Sequence, residues 1–275
     1  MRECVLITGG TGGLGKALCR SFAKEGYRVI FTARHDGKAI QLQNELGEDS
    51  LFYLVDLLDL KQVSELADHL KADGIRVDIL INNAGALYEK RQLFDEMESN
   101  MIIHHLTPTL LTRKLHKLKV LKPRARVLNI NSDAHRGKFD PEDIGNLNGR
   151  YRFMNAYGHA KATNLIYSQS IKKLFAKRDI TINHIHPGVI RTGIFKSSGK
   201  KWLAQIMKIF GPLFADKPEL AARRIKKVVE SGLLAKNSGK YFSKMQLTDR
   251  HVSTTKISWR NSVVKYTDAA LSEYL

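Results

Sequence analysis

The chain has 275 residues, of which 43% are hydrophobic and 26% are charged, so it is long enough to bury a substantial core. Its two cysteines, Cys4 and Cys19, argue against a disulfide framework, and no run of about 18 apolar residues indicates a membrane-spanning helix. The short apolar run at the N-terminus ends in glycines, which is not typical of a signal peptide, so we expect a soluble, cytoplasmic protein.

The net charge of +18 makes nucleic acids, anionic membranes and acidic molecules candidate partners. In the densest basic segments, 113–126, 172–178 and 223–227, apolar residues recur between the charges, as on the solvated face of an amphipathic helix. No basic tail, zinc-ligand spacing or aromatic-rich motif accompanies these segments. We therefore expect a solvated basic surface, no nucleic-acid partner and no metal, with an anionic lipid or substrate as the alternative.

Strand-like apolar runs alternate with amphipathic segments along the chain. The spacing of apolar residues predicts strands at 4–10, 27–33, 50–57, 77–85, 125–132 and 180–188. It predicts helices at 14–25, 36–46, 59–73, about 96–119 and through 157–177. This alternation predicts one α/β domain, residues 1–275, with a doubly wound parallel sheet flanked by helices. Such sheets bind ligands at the carboxyl ends of their strands, where this sequence places polar residues and glycines.

The first of these strand ends is the glycine-rich stretch TGGTGGLG, residues 8–15. Gly10, Gly12 and Gly15 fit the general dinucleotide pattern G-x-G-x-x-G, whereas Gly9, Gly13 and Gly15 fit T-G-x-x-x-G-x-G. Glycines between a strand and a helix let the backbone approach a pyrophosphate, and the helix N-terminus supplies amide donors. The stretch therefore predicts a nucleotide site.

A second signal is YGHAK, residues 157–161, which places Tyr157 and Lys161 one helical turn apart on the same face. A neighbouring cation favours the phenolate and brings the pKa of tyrosine, about 10 when free, toward the range that general acid–base catalysis requires. The pair alone is also common on ordinary exposed helices, so the other motifs have to decide between the two interpretations.

In their order and placement, the motifs resemble those of the short-chain dehydrogenase/reductase family, over essentially the whole chain. The resemblance rests on TGGTGGLG, Asp56 in LVDL, NNAG (82–85), Ser132 in NINS, YGHAK and HPGVIRT (186–192). The stretches INSDAHRGKFD, HPGVIRTGIF and SGKYFSKMQL are most similar to the retinol-dehydrogenase-like branch. The resemblance implies a Rossmann-type fold with a small substrate lid toward the C-terminus.

The resemblance also implies a site and a reaction. Hydride would pass between a nicotinamide cofactor and the carbonyl or alcohol of a lipophilic substrate, with Tyr157 as general acid/base. Lys161 would lower the pKa of Tyr157 and hold the ribose, and Ser132 would hydrogen-bond the substrate oxygen, although a serine that caps a turn is the alternative. Besides Tyr157 and Lys161, the implied cofactor-binding residues are Thr8, Gly9, Thr11, Gly13, Leu14, Gly15, Asp56, Leu57, Asn83, Ala84, Gly85, Pro187, Gly188, Val189 and Thr192.

Arg34 bears on the choice of cofactor. Sites specific for NAD place an acid near the end of the second strand, where this chain has Ala33, Arg34 and His35. An arginine suits a 2′-phosphate because its guanidinium is planar and permanently charged. Asp36 is expected to open the next helix. Arg34 therefore predicts NADP(H) rather than NAD(H).

One position departs from the family pattern. The family usually has an asparagine in the long helix, and the alignment through the leucines puts His104 there, with Asn100 as the second candidate. Pro108 would remove the hydrogen bond to the carbonyl of residue 104, so a kink is expected. His104 could relay a proton, because imidazole both donates and accepts. A nucleotide-binding scaffold or redox sensor with little turnover is the alternative function.

The segment 195–214 combines apolar residues, including Trp202 and Ile206, with lysines at nearly helical spacing. By resemblance it is the substrate lid, and a helix packed on the core is the alternative. Its lysines could also contact an anionic membrane or an acidic carrier. The resemblance further implies a homodimer or homotetramer built on the long helices.

Overall fold

The computed structural model describes residues 2–190, 215–248 and 257–275. Its strands are β1 (Cys4–Ile7), β2 (Arg28–Ala33), β3 (Leu51–Leu54), β4 (Val77–Asn82), β5 (Leu93–Phe94), β6 (Met97–Glu98), β7 (Leu121–Ile130), β8 (Thr181–His186), β9 (Tyr241–Ser243) and β10 (Gln246–Thr248). Eight of them form one sheet in the order β10-β9-β8-β7-β4-β1-β2-β3, and β5 pairs with β6 in a separate hairpin. All neighbours in the large sheet are parallel except β10, which is antiparallel to β9.

The helices are α1 (Gly13–Lys24), α2 (Asp36–Leu46), α3 (Leu60–Ala72), α4 (Ser99–Met101), α5 (Thr107–Lys117), α6 (Phe153–Ala176), α7 (Pro218–Glu230), α8 (Leu233–Lys236) and α9 (Ile257–Leu271). A π-helical turn (Ile102–Leu106) joins α4 to α5, and a 3₁₀ turn (Asp133–Arg136) follows β7.

The sheet is buried on both faces, as a parallel sheet covered by helices requires. In β1, Val5 and Ile7 join one apolar cluster with α1, α2 and α7, whereas Leu6 joins another with α3, α5 and α9. Successive side chains of a strand point to opposite faces, so the uninterrupted apolar run of β1 serves both clusters. The predicted doubly wound α/β fold is confirmed.

The predicted long helix from 96 to 119 is wrong at its start. It is also not one regular α-helix, because the π-helical turn separates α4 from α5. Asp95 and Glu96 have positive φ values of 48° and 60° and form the turn of the β5–β6 hairpin. Helix begins only at Ser99, where the Glu98 carboxylate accepts a hydrogen bond from the backbone N–H of Met101. Near Pro108, where a kink is expected, residues 102–106 form the π-helical turn, and Pro108 lies in the first turn of α5.

The basic segments are only partly solvated, because Lys114, Arg126 and Lys226 are largely covered and ion-paired, and they do not all lie on helices. Residues 223–227 lie on α7, where Ile225 is buried and Arg223 and Lys227 are exposed. In 113–126, by contrast, the helix ends at Lys117 and the strand β7 begins at Leu121. The predicted lid, 195–214, and Thr192 lie outside the described residues. Among the helices that the structure describes, none has the length and apolar character needed to cross a bilayer.

Candidate active site

A cleft of about 670 Å³ runs along the carboxyl ends of the parallel strands. It brings together Ser132, Tyr157, Lys161 and His104 with most of the predicted cofactor-binding residues. These are Gly9, Thr11, Gly13, Leu14, Gly15, Arg34, Asp56, Leu57, Asn83, Ala84, Gly85, Pro187, Gly188 and Val189. Thr8 lies directly behind the cleft, in the wall of a smaller cavity.

The glycine-rich turn fits closely between β1, β2 and α1. Gly9 has a φ of +68°, and a Cβ on Gly15 would collide with the carbonyl oxygen of Gly9. A Cβ on Gly10 would lie 2.6 Å from Cβ of Phe31, so this position also requires glycine. Gly10 belongs to the first glycine pattern in the sequence and Gly9 to the second, so each pattern includes a glycine that the structure requires. Helix α1 starts at Gly13 with no acidic residue in its first turn and no side chain among the described residues capping it. Its first amides are therefore suited to an anion such as a pyrophosphate.

Thr8 and Asn83 connect the ends of β1 and β4. The Thr8 hydroxyl oxygen accepts hydrogen bonds from the backbone N–H groups of Asn83 and Ala84, both at 3.0 Å. The Asn83 side-chain amide donates to the Thr8 carbonyl oxygen at 2.9 Å. Between β4 and β7, the side-chain N–H of Asn82 donates to the side-chain oxygen of Asn129 at 2.8 Å. The NNAG stretch thus fixes the three central strand ends that form the floor of the cleft.

Basic side chains lie at the end of β2. Arg34 directly follows this strand and is exposed, and His35 and Lys38 line the same part of the cleft. Asp36 begins α2, as expected. Asp56 also lines the cleft, and its carboxylate accepts a hydrogen bond from the Leu58 N–H at 3.0 Å. This end of the cleft therefore offers both positive charge and a hydrogen-bonding carboxylate.

Ser132, Tyr157 and Lys161 meet where α6 crosses the end of β7. A Cβ on Gly158 would collide with the carbonyl oxygen of Ala134, so this glycine allows α6 to contact the 3₁₀ turn. Ser132 caps that turn, because its hydroxyl accepts a hydrogen bond from the Ala134 N–H at 3.2 Å, and its interaction with the Tyr157 hydroxyl lowers the pKa of that group. Ser132 therefore caps the turn, and its catalytic role stays a prediction. Lys161 Nζ donates to the Ile130 carbonyl oxygen at 2.6 Å and lies 5.7 Å from the centre of the Tyr157 ring.

Burial dominates the protonation of this pair. It raises the pKa of Tyr157 to about 12, against the lowering effect of the hydrogen bond to Ser132, and it lowers the pKa of Lys161 to about 7. The expectation that Lys161 brings the pKa of Tyr157 down is therefore not met in this structure. The low pKa of Lys161 weakens the charge on which that effect depends.

His104 lies in the π-helical turn, edge-on to the Tyr157 ring at a centroid distance of 4.9 Å and an angle of 84°. Its Nε2 is 2.7 Å from the Ala86 carbonyl oxygen, which can only accept, so Nε2 carries the proton and Nδ1 is an acceptor. Gly85 makes room for the ring, because a Cβ there would lie 2.7 Å from His104 Cε1. Burial, together with the nearby Lys161, lowers the pKa of His104 well below 6.5, so the ring is neutral.

The second candidate, Asn100, lies away from this group. Its side-chain amide donates at 2.8 Å both to the Glu98 carboxylate and to the Tyr151 hydroxyl. Of the two candidates for the family's asparagine position, His104 is therefore the one that lies beside Tyr157, and its role there stays a prediction.

A small cavity of about 10 Å³ lies behind Lys161 and His104, close to the volume that one water molecule needs. Asn164 also lines it, three residues after Lys161 on α6. Asn164 was not predicted from the sequence, and neither was Asn131, whose side-chain oxygen accepts a hydrogen bond from the Ser132 N–H at 2.7 Å. The helical spacing from Lys161 could have indicated Asn164, whereas only the fold shows the contact made by Asn131.

The fold and the cleft define a Rossmann-type, dinucleotide-binding class of protein. Residues 3–202 match the sequence profile described as short chain dehydrogenase. The chain is 33% identical to retinol dehydrogenase 12 of Mus musculus over 253 residues, 88% of this chain and 77% of that protein. It is 30% identical to retinol dehydrogenase 13 of Homo sapiens over 251 residues, 87% of this chain and 76% of that one.

Among solved structures, a short chain dehydrogenase from Burkholderia cenocepacia J2315 in complex with NADP has a TM-score of 0.69 at 20% identity, over 88% of this chain and 95% of that one. The chain belongs to the short-chain dehydrogenase/reductase family, in its retinol-dehydrogenase-like branch. It is a dehydrogenase that acts on CH–OH or C=O groups.

Proposed function

We propose that this chain is an NADP(H)-dependent oxidoreductase that interconverts a carbonyl and an alcohol on a lipophilic substrate, with Tyr157 as general acid/base. One observation carries the proposal: Tyr157 and Lys161 lie one turn apart on the same face of α6, and Ser132 lies beside them at the end of β7. All three side chains line the cleft that begins at the glycine-rich turn.

When bound, the nicotinamide supplies or accepts the hydride. Negative charge then develops on the carbonyl oxygen during reduction, and the Tyr157 hydroxyl donates its proton to that oxygen. In oxidation the phenolate takes the proton back. The Ser132 hydroxyl donates a hydrogen bond to the same oxygen, which stabilises the charge and orients the substrate.

Lys161 lowers the pKa of Tyr157 toward the range that this proton transfer requires. An anionic cofactor in the cleft favours the ammonium form of Lys161, because an opposite charge nearby raises the pKa of a buried lysine. The ammonium in turn favours the phenolate of Tyr157 and lowers its pKa from about 12. The neutral His104 ring lies edge-on to the Tyr157 ring, and we propose that its Nδ1 accepts a hydrogen bond from a water molecule in the small cavity behind Lys161, as part of a proton relay.

Arg34 supports NADP(H) over NAD(H), because it is exposed at the end of β2 with His35 and Lys38 beside it in the cleft. The names of the two retinol dehydrogenases and the apolar residues of the cleft support a lipophilic substrate. Met154 is 45% exposed and Val189 55% exposed where they line the cleft.

The test is a steady-state assay of wild-type protein and Tyr157→Phe on a panel of aldehydes and ketones with NADPH. Turnover by the wild type and a loss of about 10²-fold or more in kcat for the variant is the expected result. Cofactor titration of the variant is the control, and it should give a nearly unchanged Kd. A wild type that binds NADPH but turns over no member of the panel would favour the scaffold or redox sensor instead.

A further inference from the structure

Helix α9 contacts both parts of the chain that carry the proposed catalytic side chains. Val263, Thr267 and Leu271 recur every four residues, and all three are fully buried on one face of α9. Val263 shares an apolar cluster with Ala160 and Tyr167 of α6. The Asp268 carboxylate accepts hydrogen bonds from the Tyr167 hydroxyl at 2.7 Å and from Arg113 at 2.6 Å. Helix α9 therefore lies against the helix that presents Tyr157 and Lys161.

The π-helical turn needs support from its surroundings. Such turns are rare and less favourable than regular helix, so they persist where tertiary contacts hold them. Two consecutive residues of this turn, His104 and His105, contact different parts of the protein. His104 contacts the Ala86 carbonyl and the Tyr157 ring, whereas His105 contacts Thr267 and lies edge-on to the Tyr167 ring at 5.6 Å. His105 thus anchors the turn on α9.

The chemistry of this anchor sets the direction of its hydrogen bond. The Thr267 hydroxyl donates to the Val263 carbonyl oxygen at 2.7 Å, so the Thr267 oxygen accepts from His105 Nε2, also at 2.7 Å. Burial lowers the pKa of His105 to about 3, and the ring stays neutral in ordinary buffers. The contact is a fixed one and does not switch with pH.

We infer that Thr267 is a positioning residue: by accepting the hydrogen bond of His105, it fixes the π-helical turn so that His104 is held against Tyr157. The inference rests on the proposed function, because turnover is its readout. Thr267 lies in α9 and contacts neither Tyr157 nor the cleft in the described structure, so its effect has to pass through the turn.

The experiment is a double-mutant cycle on the full chain. Thr267→Val keeps the shape of the side chain and removes the acceptor, and Thr267→Ser keeps the hydroxyl. We expect Thr267→Val to lower kcat about tenfold in the His104 protein and less than about twofold in a His104→Ala background. Thr267→Ser should restore kcat, and the KM for NADPH should stay unchanged. In Thr267→Val the pH midpoint of kcat/KM should move to lower pH, because water then reaches the Tyr157 hydroxyl.

Asp268→Asn is the control, since it weakens another anchor of α9, and Asp268 reaches the π-helical turn only through the Tyr167 ring and not through the His105 hydrogen bond. It should lower Tm without moving the pH midpoint. Equal losses of kcat from Thr267→Val in both His104 backgrounds would overturn the inference, and so would a loss that Asp268→Asn reproduces. His105→Leu breaks the same contact from the other side. If it and Thr267→Val both fail to fold while Asp268→Asn folds, the contact is needed for folding and the inference is also overturned. Full turnover by Tyr157→Phe would instead contradict the proposed function.

Discussion

Arg34 is the residue on which the proposed cofactor preference depends. Its guanidinium stands exposed at the end of β2, and charge-assisted hydrogen bonds to a phosphate contribute about 1.5–3 kcal/mol. Arg34→Ala should therefore lower kcat/KM for NADPH by about 10- to 100-fold and change that for NADH little. The control is Arg20→Ala, because Arg20 is a basic residue of α1 that forms an ion pair with Glu45. This variant should leave kcat/KM unchanged for both cofactors. A wild-type preference for NADH would show that the cofactor assignment is wrong.

Lys161 makes a prediction about stability. Its folded-state pKa of about 7 lies below the ordinary 10.5, so burial favours the neutral amine and penalises folding where the lysine is charged. The penalty is full below about pH 7 and is relieved as the pH rises toward 10.5. Each pH unit in this window should add up to about 1.4 kcal/mol to the free energy of unfolding.

Urea unfolding of wild type and Lys161→Met at pH 7, 8 and 9 measures this effect. As the pH rises, the free energy of unfolding of the wild type should increase relative to that of Lys161→Met. Lys61→Met, at an exposed lysine on α3, should show a constant difference from the wild type. A constant difference for Lys161→Met as well would mean that Lys161 is charged in the folded protein at pH 7 and above.

At the scale of single elements, α6 depends on Gly158. Replacing glycine by alanine inside a helix usually stabilises it by up to about 1 kcal/mol. Here a Cβ would collide with the backbone of the 3₁₀ turn, so Gly158→Ala should destabilise the protein by about 1–3 kcal/mol and lower kcat by displacing Ser132 from Tyr157.

Gly37→Ala is the matched comparison for Gly158→Ala, because Gly37 lies in α2 and a Cβ there has no neighbour within 4 Å. It should raise Tm slightly. Thermal unfolding of both variants, monitored by circular dichroism, gives the sign of the change in Tm for each. The same sign for both would show that α6 can move away from the turn without loss.

The elements differ in how far the sequence predicts them. The strands from β1 to β8 in the large sheet and the helices between them follow from apolar spacing, and the strand-end motifs place the cleft. Pro108 indicates a kink, yet the π-helical turn depends on His105 reaching Thr267, 162 residues away, which no local pattern contains. The pKa values of Tyr157 and Lys161 likewise depend on burial in the folded protein, which no local pattern contains. The hairpin turn places Asp95 and Glu96 at positive φ, a conformation that the apolar spacing does not indicate, so the helix predicted from 96 begins only at Ser99.

At the scale of the whole molecule, α9 affects self-association. The resemblance to the family implies a homodimer or homotetramer built on the long helices. Within this one chain, however, every residue of α6 from Gly158 to Gln169 is already buried, and so is most of α5. Packing through these two helices would require α9 to move.

We therefore expect a mass near the 31.1 kDa of one chain in light scattering at micromolar concentration. Asp268→Asn, which weakens the attachment of α9, is the variant that should show any concentration-dependent rise in mass. A stable dimer of the wild type whose interface maps to α5 and α6 would contradict this expectation.

The late position of α9 also has a consequence for the protein during its synthesis. All strands from β1 to β8 and the helices between them leave the ribosome before α9, so a nascent Rossmann sheet could form while His105 still has no partner. At that stage the surface that Val263 and Leu271 later cover is exposed, which makes the unfinished chain a target for chaperones and prone to aggregate. A ribosome that stalled before α9 would then leave a chain with the cleft but without the support of its π-helical turn.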